Sequence, residues 1–285
     1  MVMATGWGSA ITEAARRLTA AGVDSPRVDA ELIAAHVAGV TRGRLVLAPD
    51  PDDRQLLCFT GFVERRARRE PLQHVLGTAA FWRGELSVGP GVFVPRPETE
   101  LVVEWTLAAL RPVVRPVVVD LCAGSGAIGH AILGERPDAA LYAVERHDEA
   151  LVWLRHNMEE TTAVIVADDA GAPSTLRELN GLVDAVVSNP PYVPSGAAAG
   201  MSPEVAADPP TALYSGPDGL DLLRRLVPRA AALLRPGGVF AVEHDDTHRD
   251  AVPDLLRRHG FTEVVAHRDL ADRPRFCTGR RAAQQ

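Results

Sequence analysis

Apolar positions keep one spacing up to about Arg69 and another from Pro116 onward. In the first stretch Ile11, Ala14, Ala15 and Leu18 fall on one helical face, and Val28, Leu32, Ala35 and His36 continue the pattern after Asp24-Ser25-Pro26. A third helix is expected from Asp52 to Arg69, which makes a small α-bundle. His36, on the apolar stripe, reads as a packed core histidine rather than a ligand. Next, Phe81 to Val88 and Val92 to Val94 flank Gly89-Pro90-Gly91 and read as a hairpin. From Pro116 short apolar runs alternate with helical patterns. Strands are expected at Val117 to Asp120, Ala140 to Glu145, Val164 to Ala167, Val183 to Ser188, Val239 to Glu243, Thr262 to Ala266 and Arg275 to Thr278. The last two leave no room for a helical crossover, so they should pair antiparallel at one edge.

This alternation predicts an α/β fold with an open, mostly parallel sheet and helices on both faces. A seven-stranded sheet ending in such a hairpin resembles the class I (Rossmann-like) methyltransferase fold rather than a dehydrogenase. The expected domains are 1–75, a helical domain; 76–97, a connecting β-hairpin; and 98–285, the domain of the open sheet. A chain of 285 residues with 46% hydrophobic and 24% charged positions is ordinary for a soluble globular protein of this size. No apolar run is long enough to span a bilayer, and Met1 to Ser9 carries no basic region followed by an apolar stretch, so a cytoplasmic protein is expected. Cys58, Cys122 and Cys277 are widely spread and odd in number, which fits reduced thiols and gives no metal site. A net charge of −7 argues against nucleic acid as the main partner. Arg65-Arg66-Ala67-Arg68-Arg69 is a candidate basic patch, with a solvated helix end as the plainer explanation.

The chemistry gathers at strand ends. Val117 to Asp120 runs into Leu121-Cys122-Ala123-Gly124-Ser125-Gly126, whose glycines allow a tight turn and close approach to a ligand, although a plain strand-to-helix connector would use the same residues. Asp120 beneath that turn can accept from a ligand amine. Glu145 ends the next strand at the spacing of an acidic residue that grips a ribose diol. Asp168 and Asp169 end the third, and either can line an adenine pocket or cap the following helix. A ligand with an amino acid end, a ribose and an adenine fits these demands, which points to S-adenosylmethionine, leaving as S-adenosylhomocysteine. The fourth strand delivers Asn189-Pro190-Pro191-Tyr192. Each proline fixes its own φ and pushes the preceding residue away from helix, so the carbonyls should point outward. With the Asn189 side chain and the Tyr192 ring they suit a planar NH2 group. Between Pro194 and Pro217 lies a long small-residue loop, expected to be a mobile substrate loop.

Three stretches together carry a family resemblance: Glu70-Pro71-Leu72-Gln73-His74-Val75-Leu76-Gly77 with Phe81, then Val94-Pro95-Arg96-Pro97-Glu98-Thr99-Glu100, then Asp120 to Gly126 with Asn189 to Tyr192. Over nearly its whole length the chain resembles the HemK/PrmC family, the release factor glutamine N5-methyltransferases. The resemblance implies methyl transfer from S-adenosylmethionine to the glutamine side chain of the Gly-Gly-Gln motif in peptide chain release factors. It places Phe93 and Thr99 near the methionine moiety and the entering glutamine, and makes Asn189, Pro190, Pro191 and Tyr192 the receiving site. Asn-Pro-Pro-Tyr alone is shared with amino methyltransferases acting on adenine, cytosine or guanine in DNA or ribosomal RNA, the competing reading. A non-catalytic module that contacts the translation machinery is a third. The chain departs from the family pattern at Cys122, which stands where a glycine is usual, at Glu145 for Asp, at Asp208 for Glu, and in Glu243-His244-Asp245-Asp246.

Overall fold

In the computed structural model, which describes residues 6–197 and 201–283, the chain divides into two units: Met1–Thr78 with Ser202–Ala207, and Ala79–Met201 with Asp208–Gln285. The first unit holds helices α1 (Trp7–Ala20), α2 (Pro26–Ala38), α3 (Asp53–Ala67) and the short α4 (Leu72–Leu76). Asp52 starts α3 by accepting from the Gln55 amide at 2.7 Å while the Gln55 side chain accepts from the Asp52 amide at 3.1 Å, a reciprocal cap that fixes where the helix begins. Trp7, Leu18, Ala30, Ile33 and Phe59 are buried together. The inward face of α2 is Asp29, Ala30, Ile33, Ala34 and Ala35, and His36 is exposed, against the expected core position. The stripe is rotated because Asp29 turns inward to Arg66 at 2.8 Å, and the small alanines of the same face admit α1 and α3 on either side.

Three arginines of the run are paired within this unit, and Arg68 is exposed. Arg65 pairs with Glu70; Arg66 pairs with Asp29 and, at 2.7 Å, with Glu204; Arg69 grips both Glu204 oxygens at 2.7 and 2.8 Å. The Glu204 carboxyl is thereby lowered to about 2. Of the stretch expected as a mobile substrate loop, 198–200 lie outside the described residues; in the rest Ser202 caps the helical turn Pro203–Ala206, Pro210–Leu213 forms another, and Val193 bridges Tyr214.

The hairpin forms from β1 (Thr78–Phe81) and β2 (Gly84–Ser87), turning at Trp82-Arg83 with Trp82 at φ +56°. Gly89-Pro90-Gly91 is not its turn. A Cβ on Gly89 would lie 2.5 Å from the Trp153 ring and one on Gly91 2.7 Å from the Glu149 Cβ, so these glycines make room for a helix instead.

The second unit's sheet contains β3 (Val117–Leu121), β4 (Ala140–Glu145), β5 (Val164–Ala167), β6 (Val183–Ser188), β7 (Leu234–Glu243), β8 (Phe261–Arg268) and β9 (Pro274–Arg281). Their order is β5-β4-β3-β6-β7-β9-β8, parallel from β5 to β7 and antiparallel thereafter. Residue alternation splits the core. Val118, Ala143, Ala185, Val187 and Ala241 face α5 (Glu100–Leu110), α6 (Ala127–Glu135) and α7 (Asp148–Met158), while Val119, Leu121, Val144, Val186 and Phe240 face the helices Asp221–Leu233 and Ala251–Arg258. Each fully buried large side chain contributes about 1.5–3 kcal/mol. The strand order reverses at β3, with β4 and β5 laid down on one side of it and β6 and β7 on the other, which opens a crevice at the carboxyl ends of β3 and β6, the place where open α/β sheets hold ligands. No described helix is long and apolar enough to cross a membrane.

Candidate active site

Leu121 pairs with Val144 on one side and Ser188 on the other, so β3, β4 and β6 end level. The chain then turns through Cys122 at φ +65°, Gly124 at +57° and Gly126 at +87°. The cysteine that stands where a glycine is usual thus itself adopts positive φ, at a cost of roughly 1–2 kcal/mol that the surrounding turn must over-determine. A Cβ on Gly126 would come within 2.8 Å of both Leu154 and Met158, so glycine is required for α6 to pack on α7. A Cβ on Gly124 would meet nothing within 4 Å. Ala123 and Ser125, the other two residues of the turn, are buried.

Asp120 is fully buried beneath the turn. Its Oδ2 accepts from the Gly129 amide at 3.1 Å, and its Oδ1 is buried without a hydrogen-bond partner among the described residues. Burial, reinforced by the nearby Glu145 charge, pushes this carboxyl up to about 7. Glu145 accepts from the Gly124 amide at 3.0 Å through Oε2 and from the Arg146 and His147 amides at 2.8 and 2.9 Å through Oε1, tying the glycine turn to the end of β4. Asp168 accepts from the Thr175 hydroxyl at 2.8 Å and from the amide of Asp169. Asp169 is held by Arg225 at 2.5 Å and by the Gly171 amide.

Past β6 a second cluster forms. Asn189 donates from Nδ2 to Thr99 Oγ1 at 3.1 Å, Thr99 donates to Glu243 Oε2 at 2.7 Å, and the Tyr192 hydroxyl donates to Glu243 Oε1 at 2.8 Å. Thr99 and Glu243 are buried; Asn189, Pro191 and Tyr192 are half-buried. The Pro190 carbonyl accepts no hydrogen bond among the described residues. Burial raises the Glu243 carboxyl, opposed by the two hydroxyl donors and by Arg275, and the same burial with the Glu243 charge raises the Tyr192 phenol. Half-buried Phe93 lies beneath the Arg96 guanidinium, 5.0 Å from ring centre to Cζ, and Arg96 pairs with buried Asp208, which also accepts from the Val94 amide at 3.1 Å. Glu243 and Asp208 entered the sequence reading only as departures from a pattern. The signal that could have found Glu243 is its place: an acidic residue closing an apolar strand beside the one that delivers Asn189.

The ends of β3, β4, β5, β6 and β7 thus bring Asp120, Glu145, Asp168, Asn189 and Glu243 to one edge of the sheet. A ligand bearing an ammonium group fits the orphaned Asp120 Oδ1, and the open side of Gly124 leaves its backbone free for close approach. The donor set is suited to binding S-adenosylmethionine.

Residues 9–77 match the family model described as PrmC N-terminal domain, and residues 90–216 match the methyltransferase small domain. The release factor glutamine methyltransferase of Mycolicibacterium smegmatis is 50% identical over 278 residues, covering 97% of this chain and 98% of that one. That of Streptomyces coelicolor is 49% identical over 277 residues, covering 95% and 97%. Among solved structures the T. thermophilus 16S rRNA N2 G1207 methyltransferase, in complex with AdoMet and guanosine, superposes with a TM-score of 0.51 at 24% identity over 72% of this chain and 49% of that one, a likeness of fold. With half its residues shared along nearly the full length of such relatives, and the class I methyltransferase sheet beneath them, the chain belongs to the release factor glutamine methyltransferase family.

Proposed function

We propose that this enzyme transfers a methyl group from S-adenosylmethionine to the side-chain nitrogen of the glutamine in the Gly-Gly-Gln motif of peptide chain release factors, in the cytoplasm. The observation that carries the reading is the pair of acceptors at the end of β6: the Asn189 amide, whose NH2 is engaged by Thr99, and the Pro190 carbonyl. A carboxamide NH2 offers two donors in one plane, which two fixed acceptors can hold. The names of the relatives supply the substrate.

Bound in the crevice, S-adenosylmethionine supplies an electrophilic sulfonium methyl and departs as S-adenosylhomocysteine. On this reading Asp120 takes the amino end, Glu145 the ribose, Asp168 or Asp169 the adenine side, and the turn Cys122 to Gly126 its approach by backbone. Phe93 and Thr99 flank the methionine moiety and the glutamine, while Pro191 and Tyr192 shape the pocket around the amide. An amide nitrogen is a poor nucleophile because its lone pair is delocalised into the carbonyl. Asn189 and Pro190 answer this by holding the nitrogen in line, a proximity effect worth at best about 7–11 kcal/mol. As the N–C bond forms, positive charge grows on nitrogen, so two acceptors bind the transition state more strongly than the ground state. The proton leaves to water after transfer. The helical first unit serves recognition of the release factor.

Incubation with labelled methyl donor and either a release factor or ribosomal RNA, followed by mass mapping, tests the reading. A methyl on the Gly-Gly-Gln glutamine is expected. A methyl on RNA and none on the glutamine overturns it.

A further inference from the structure

Glu243 closes β7 with 1% of its surface exposed, and its two oxygens are spent on hydroxyl groups rather than on anything that reacts. Thr99 donates to one of these oxygens and Tyr192 to the other, so both hydroxyl hydrogens point at the carboxylate. The Thr99 oxygen then has only lone pairs to offer its other neighbour. That neighbour is the Asn189 amide, which must present NH2, as it does at 3.1 Å. We infer that Glu243 is a positioning residue: acting through the Thr99 hydroxyl, it selects which end of the Asn189 amide faces the entering substrate, so that an acceptor and not a donor meets the substrate's NH2.

The inference rests on the proposed role of Asn189. It gives a part to a buried carboxylate whose oxygens meet hydroxyl groups, while the Arg275 guanidinium, whose charge favours the ionised Glu243, is itself held at 3.2 Å by Asp269. Carboxylate acceptors make bonds roughly twice as strong as neutral ones, so the hydroxyl hydrogens have one clear preference. An Asn amide has no preference of its own between its two flips. With the flip reversed, two NH2 groups would face each other and the nitrogen would lose one of its two acceptors.

The test is a double-mutant cycle in the full-length enzyme with a release factor as substrate. Thr99→Val should lower kcat on the order of a hundredfold, the scale of a misplaced reacting group. Thr99→Ser, which keeps the hydroxyl, should restore kcat. In an Asn189→Ala background, Thr99→Val should cost little more, because the residue it orients is gone. Losses that multiply overturn the relay, as does a Thr99→Val enzyme of normal kcat. Glu243→Gln, which can donate to Thr99 and free its hydrogen, should fall like Thr99→Val. Orientation is also read without substrate: water exchange of the Asn189 side-chain amide protons by NMR should be slowed in the wild type and faster in Thr99→Val, and equal exchange overturns the inference. A wild-type chain that leaves the glutamine unmethylated removes the proposed substrate, while the exchange measurement still decides the relay.

Discussion

With Asp120 in its proposed place at the cofactor's amino end, cofactor affinity and apo stability should depend on pH in opposite senses. Its carboxyl stands at about 7 in the folded chain against an ordinary 3.8, because it is buried beneath the glycine turn with one amide donor and an unsatisfied oxygen. At 1.36 kcal/mol per pH unit, this difference costs the folded state roughly 4 kcal/mol once the group is ionised. The folded state binds the extra proton between the two values. Its stabilising contribution is therefore complete below about 3.8 and is lost as pH rises through about 7. A ligand ammonium beside Asp120 needs the ionised form. Apparent affinity for S-adenosylmethionine should thus weaken on the order of tenfold between about pH 8 and pH 6, where only about a tenth of the carboxyl is charged. Above roughly 7.7–8.0 the ligand's own amine begins to lose its proton, which sets the upper limb. Isothermal titration in buffers of differing ionisation enthalpy should register proton release near pH 6.5. Asp120→Asn should abolish the release, weaken binding at every pH, and raise apo stability near pH 8 by up to about 4 kcal/mol in urea unfolding. A pH-independent affinity, or proton uptake on binding, would refute the placement of charge at this site.

Four further outcomes are expected. Asn189→Ala should cut kcat by about a hundredfold or more in a methyl-transfer assay while S-adenosylmethionine affinity stays within a few fold. Gly126→Ala adds a methyl 2.8 Å from Leu154 and Met158 at φ +87°, and should lose about 2–4 kcal/mol in chemical denaturation through combined overpacking and backbone strain. Glu204→Ala leaves Arg66, 7% exposed, and Arg69 short of a partner; a loss of about 3 kcal/mol is expected at neutral pH, and in the wild type the same stabilisation should fade as pH drops from about 4.5 through about 2, followed by thermal melting. Of the three thiols, exposed Cys58 should react first with a disulfide reagent and Cys58→Ser should remove the fast phase, since burial pushes the Cys277 thiol up to about 12 and raises that of Cys122 further.

The central parallel strands were legible because buried parallel strands read as continuous apolar runs, and Val117 to Asp120 or Val183 to Ser188 can be little else. The hairpin turn was misplaced because glycine signals two different needs, φ freedom and close approach. At Gly89 the second applied, and the true turn sits on Trp82, a residue that seldom takes positive φ. His36 misled for a related reason. A stripe drawn through apolar letters cannot anticipate that Asp29 turns inward once Arg66 is available to neutralise it. Asp120, Glu145 and Asn189 could be singled out from the sequence by their place at strand ends, which the sheet brings to one edge. Glu243 was passed over because its part depends on hydroxyl groups 144 and 51 residues away, and no local pattern encodes such a meeting.

The membership of Ser202–Ala207 in the helical unit bears on how the protein can be dissected. The polypeptide enters that unit twice, so no single cut yields it whole. An expression fragment ending at Thr78 would lack Glu204 and leave two arginines that the intact chain neutralises, one of them nearly inaccessible to water. Poor solubility of such a fragment would then report a missing piece of its own fold rather than an inability of helical bundles of this size to fold alone. Adding the six-residue segment back, by a short designed connection after Thr78, is the form in which an isolated helical unit should be made.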